Sequence, residues 1–72
     1  MPLAWALTQS NLARAVAEIG TRTGDPARWR EALGLAEAAL EVFEAAGAPH
    51  YAVKAREQRD AIRAKLTKDA HP

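Results

Sequence analysis

Seventy-two residues with a formal net charge of +1 bound the chain to one domain, near the lower size at which a single apolar core suffices without staples. There is no cysteine, which excludes a disulfide framework and a thiolate metal site, and a cytoplasmic location is expected. Abundant alanine and few aromatics favour close-packed helices over a sheet; the apolar opening Met1 to Leu7 is too short to span a membrane and lacks the basic segment of a signal peptide.

The periodicity predicts a first helix from about Leu3 to Ile19, with Pro2 in a first turn where its missing N–H costs nothing. Trp5, Leu12, Val16 and Ile19 form its apolar stripe, widened by Leu7 and Ala15, and Gly20 follows as a C-terminal glycine should. Thr21 to Pro26 reads as a loop, closed by Asp25 as the N-cap and Pro26 as the first position of a second helix that runs to about Ala46. That helix is apolar on two sides, with Trp29, Leu33, Ala36, Leu40 and Phe43 on one and Ala32, Leu35, Ala39, Val42 and Ala46 on the other. A helix with two apolar sides has neighbours on both, which places it in the middle. Gly47, Ala48 and Pro49 break the chain, and a third helix follows from about His50 to Leu66. Its stripe is Tyr51, Ala55, Ile62 and Leu66, interrupted by Gln58, and residues 68 to 72 read as a polar tail after a domain covering 1 to 67. Short connections make the three helices antiparallel neighbours. The expected fold is all-α, with a core of Trp5, Leu12, Val16, Trp29, Leu33, Leu40, Phe43 and Ile62.

Residues 3 to 20 and 50 to 66 resemble each other at an offset of 46 positions, where Trp5 meets Tyr51, Ala6 meets Ala52, Leu7 meets Val53, Ala15 meets Ala61 and Val16 meets Ile62. Self-similarity over a few dozen residues points to stacked helix pairs that share a core. Charge is divided along the chain: residues 27 to 48 sum to −2 and residues 49 to 72 to +3, so an acidic middle helix lies beside a basic last one.

Little of this composition suits catalysis. The only histidines are His50 and His71, and Ser10, the only serine, has no histidine near it in sequence to activate it. Glu37, Glu41 and Glu44 share one helix face, but without a histidine they read as a solvated strip and not a metal site. Gly20 and Gly24 flank an ordinary turn, and no phosphate-binding glycine loop exists. Neither an enzyme activity nor a cofactor is expected.

Asn11-Leu12-Ala13-Arg14-Ala15-Val16, then Gly20, then Glu31-Ala32-Leu33 with Ala36, Ala39 and Leu40, and finally Pro49 resemble the tetratricopeptide repeat in register. The resemblance extends over about Trp5 to Leu66 and amounts to one and a half units. Small residues at Ala13, Ala32 and Ala39 would let two antiparallel helices approach closely. The stretch Thr21 to Trp29 reads as an insertion of about nine residues, similar to the longer repeats found in arrays in bacterial proteins. In the third helix Leu12 is replaced by Gln58 and Ala13 by Arg59, so that helix is expected to be a solvated cap on a right-handed superhelical arrangement.

The resemblance implies a protein-interaction scaffold whose concave groove is lined by the polar faces of first helices. On this chain those positions are Ser10, Asn11, Arg14 and Glu18, joined by Arg56, Asp60 and Arg63 of the third helix, and their arginines suit a protein or peptide ligand that brings an acidic group. Trp5, Leu7 and Tyr51 are the expected contacts of a homo-oligomer, since uncovered apolar helix surface tends to find a partner. The rival reading is nucleic-acid binding along a basic ridge of Arg56, Arg59 and Arg63 with Lys54, Lys65 and Lys68 nearby, interrupted by Glu57 and Asp60.

Overall fold

The structure, a computed structural model, describes residues 2–70. It contains three helices, α1 (Pro2–Thr23), α2 (Pro26–Ala45) and α3 (Pro49–Ala70), and the all-α expectation holds. α1 and α3 are longer than the apolar pattern alone suggested, while α2 keeps its expected span. The largest difference falls between α1 and α2, where the stretch expected as a loop is helical except at Gly24 and Asp25. Gly20 stays inside α1, and Thr21 and Thr23 return their hydroxyls to the carbonyls of Ala17 and Ile19 at 3.1 and 2.8 Å. The stop comes at Gly24, whose φ of 69° lets its N–H reach the Gly20 carbonyl at 2.8 Å in a left-handed cap. Asp25 then caps α2 as expected, its carboxylate accepting from the Ala27 N–H at 3.0 Å, with Pro26 at the first position. At the other end of α2 the Ala48 N–H donates to the Phe43 carbonyl and the Gly47 N–H to that of Glu44, closing a Schellman turn on Gly47.

The helices meet through small side chains. Ala6 shares a buried cluster with Ala39, Leu40, Phe43, Ala52 and Ala55, and Ala13 shares a second with Ala32, Ala36 and Ile62. Ala6, Ala13 and Gly20 recur every seven residues along α1, and they meet Ala39, Ala32 and Trp29 in descending order, as antiparallel helices require. A Cβ on Gly20 would fall 2.7 Å from the Trp29 ring, so the close approach there demands glycine.

This seam overturns part of the expected core. Leu40, Phe43 and Ile62 are buried, and Val16, Trp29 and Leu33 are half-buried, but Trp5 and Leu12 are 47% and 46% exposed. The reason is helical phase: the α1 line that faces α2 is the alanine line, and the larger residues lie on its flank. In α3 the buried line is Ala52, Ala55 and Ile62, with Tyr51 exposed.

The α2/α3 contact is also antiparallel, marked by ion pairs Glu44 to Arg56 at 3.0 Å and Glu37 to Arg63 at 3.2 Å. The acidic middle helix and basic last helix thus attract each other directly, through exposed pairs worth roughly 0–1 kcal/mol each. Both α1 and α3 pack on α2 and run parallel to each other, touching across a narrow line where Ser10 meets Gln58.

Candidate interaction groove

Two parallel helices resting on a third leave a trough between them. Here it has a volume of about 450 Å3. Leu7, Ser10, Asn11, Arg14 and Ala17 of α1 form one wall; Tyr51, Lys54, Gln58, Ala61 and Lys65 of α3 form the other, with Phe43 and Ile62 at the floor. The Tyr51 ring stacks on Phe43 at 5.3 Å between centroids, which carries apolar surface from the core up into the trough.

Gln58 is the tie across the trough. Its amide donates to the Ser10 carbonyl at 2.9 Å, and its Oε1 accepts from the Ser10 hydroxyl at 3.1 Å. The residue that reads in sequence as an interruption of the apolar stripe is therefore what holds α3 beside α1. The same bond occupies the only serine hydroxyl of the chain with an amide and not a base.

The electrostatics of the trough are one-sided. Arg14, Lys54 and Lys65 line it, and no carboxylate does. Arg14 donates to Asn11 Oδ1 at 2.7 Å, and the Lys65 ammonium sits 5.7 Å from the centre of the Trp29 ring. Among the described residues none of these three cations has a carboxylate partner, whereas Arg22, Arg28, Arg56, Arg59 and Arg63 are each paired. Low-dielectric walls around uncompensated charge concentrate the field that an anionic group would feel.

Of the groove residues expected from sequence, Ser10, Asn11 and Arg14 line the trough together. Glu18 does not; it is exposed on α1 and pairs with Arg22 at 3.3 Å. Arg56 and Arg63 turn to α2 glutamates and Asp60 pairs with Arg59 at 3.0 Å, so these three lie outside it. The α3 wall is made instead by Tyr51, Gln58 and Lys65, each seven residues from the next, with Lys54 and Ala61 alongside. That wall lies one helical flank away from the positions inferred from the repeat pattern. The offset of 46 could have located it, because it maps Tyr51, Gln58 and Lys65 onto one line of α1, namely Trp5, Leu12 and Ile19.

The three expected oligomer contacts divide between two surfaces. Leu7 and Tyr51 belong to the trough, while Trp5 does not line it. The basic ridge of α3 is compensated, since Arg56, Arg59 and Arg63 each hold a carboxylate. Among the described residues no cluster of three metal-ligating side chains occurs, and no helix is long and apolar enough to cross a membrane. No protein-family model, curated protein or solved structure matches the chain.

Proposed function

We propose that this chain is a non-catalytic protein-interaction module, a tetratricopeptide-like scaffold that binds an acidic peptide segment in the α1/α3 trough and associates with itself through an exposed helix face. The observation that carries the peptide reading is the trough itself, mostly apolar with cations in its walls, where Arg14, Lys54 and Lys65 have no carboxylate partner among the described residues and Tyr51 and Leu7 offer apolar contact. A ligand that suits it places an apolar side chain against Tyr51 and Leu7 and a carboxylate within reach of Arg14 or Lys54, where charge-assisted hydrogen bonds form. The arrangement of α1 and α3 on either side of α2 supports the repeat-like reading, because it leaves first-helix faces to line a concavity.

The test is a panel of fluorescently labelled peptides that pair Asp or Glu with a neighbouring Leu or Phe, titrated by anisotropy at low and high salt. Binding is expected to weaken as salt rises and to fall at least ten-fold in the Arg14→Glu, Lys54→Glu double variant. Arg56→Glu, which breaks the pair with Glu44 outside the trough, is expected to leave affinity within two-fold. Equal loss in both variants, or none in either, overturns the assignment of the trough.

A further inference from the structure

The two ends of the helix stack are unlike. On α1 the residues that face α3 include Leu7 and Arg14, and on α2 they include Glu37 and Glu44, whose pairs mark the α3 side. Positions two residues earlier lie on the opposite flank of a helix, because two residues turn the chain by about 200°. Those positions are Trp5 and Leu12 on α1, continued by Ile19, and Leu35 and Val42 on α2. Together they make the end of the stack that faces away from α3. Trp5, Leu12 and Ile19 are 47%, 46% and 49% exposed, and the other α1 residues of this flank, Thr8, Gln9, Val16 and Thr23, carry no charge. The opposite end, the outer face of α3, carries exposed Glu57 and Asp60 beside Val53 and Ala64.

The chain also shows what such a line is used for. At the offset of 46, Trp5, Leu12 and Ile19 correspond to Tyr51, Gln58 and Lys65, the α3 line that is turned toward α1. The equivalent line on α1 is more apolar and has no neighbour in the monomer.

We infer that this face is the interface of a closed, two-fold symmetric dimer, in which α1 of one chain packs antiparallel on α1 of a second copy with Leu12 at the axis. The inference rests on the interaction-module reading but concerns a surface separate from the trough. Two features choose a second copy, joined like end to like end. First, a head-to-tail array would press the apolar end onto the exposed carboxylates of Glu57, which holds no ion pair among the described residues, and of Asp60, which is paired with Arg59, at a desolvation cost that an apolar partner avoids. Second, Trp5, Leu12 and Ile19 are spaced by seven on either side of Leu12, so an antiparallel pair centred there sets each Trp5 against the Ile19 of its partner and each Leu12 against its own copy. An isologous contact of this kind stops at two chains.

The absence of cysteine makes the decisive experiment clean. A single Leu12→Cys substitution is expected to cross-link into a disulfide dimer under mild oxidation, because only a residue at a two-fold axis meets itself. Glu57→Cys, on the far end, is expected not to. Light scattering on the unmodified chain is expected to give twice the 7.8 kDa of one chain. Leu12→Lys should halve that mass while leaving far-UV helicity unchanged, since Leu12 is already about half exposed in the monomer. A constant monomer mass up to millimolar concentration overturns the dimer. So does a mass that climbs without limit, or a Leu12→Lys variant that keeps the full mass. The Arg14→Glu, Lys54→Glu variant should still dimerise, and failure of the dimer with peptide binding retained would leave the trough assignment standing.

Discussion

A methyl group added at Gly20 would sit 2.7 Å from Trp29 Cδ1, 2.8 Å from its Nε1 and 3.0 Å from Arg28 Cβ, closer than side chains tolerate. The same methyl at Gly34, an exposed position inside α2, would meet nothing within 4 Å. Two glycines in helices therefore give opposite outcomes. Gly34→Ala is expected to stabilise by about 0.5–1 kcal/mol, the ordinary gain in helix propensity. At Gly20 the same gain is outweighed by overpacking that costs about 1–3 kcal/mol, for a net loss of roughly 1 kcal/mol. Thermal unfolding monitored by circular dichroism separates the two, since 1 kcal/mol moves the midpoint of a domain this small by about 4–8 °C. A stabilised Gly20→Ala would mean that Trp29 swings aside, which its packing against the Ala13, Ala32 and Ala36 cluster argues against. The cap at Asp25 belongs to the same scale: Asp25→Ala removes the acceptor of the Ala27 N–H and is expected to cost about 1 kcal/mol, read in the same assay.

Between elements, the Ser10 and Gln58 pair adds a polar tie between two helices whose direct contact is narrow. Ser10→Ala removes one of the two hydrogen bonds and is expected to cost about 0.5–1 kcal/mol, while Gln58→Ala removes both and should cost about 1–2 kcal/mol. In a double-mutant cycle by urea denaturation the two effects should not add, and strict additivity would show that the bonds are absent in solution. The number, order and approximate spans of the helices were legible from periodicity, and so was the cap at Asp25, because those signals are local. Helical phase was not. Trp5 and Leu12 outrank Ala6 and Ala13 in hydrophobicity, so a stripe drawn by size selects the wrong flank of α1, whereas close approach selects the line of smallest residues. The same error of phase put Arg56, Asp60 and Arg63 in the groove. Arg56 and Arg63 pair instead with Glu44 and Glu37, which follows from which flank of α3 meets α2, a choice that depends on packing and not on spacing, while Asp60 pairs with its neighbour Arg59. The loop between α1 and α2 was misread because Gly20 looks like a terminator, while its actual role is to admit Trp29.

At the scale of the whole molecule, the question is whether α3 is an appendage or part of one cooperative unit. Its buried residues divide between the two clusters: Ala52 and Ala55 cover Phe43 and Leu40, and Ile62 covers Ala36, Ala32 and Ala13. Removing α3 would strip both clusters at once. A domain of this size has only on the order of 5–10 kcal/mol of net stability, and burying one large apolar side chain contributes roughly 1.5–3 kcal/mol. Loss of Ile62 together with exposure of Phe43 and Leu40 therefore consumes most or all of that margin. A chain ending at residue 48 is expected to lose the sigmoidal urea transition and most of its far-UV helicity, whereas the 72-residue chain unfolds in one step. Cooperative unfolding of the shortened chain, with the tryptophan fluorescence of the 72-residue chain, would instead make the α1/α2 hairpin the folding unit and α3 a detachable wall of the trough. The trough could then open by α3 undocking about Gly47, and peptide binding would be coupled to that motion. The division of α3 between both clusters argues for the single unit, so the trough should be a permanent feature of the folded chain and ligand binding should leave helicity unchanged.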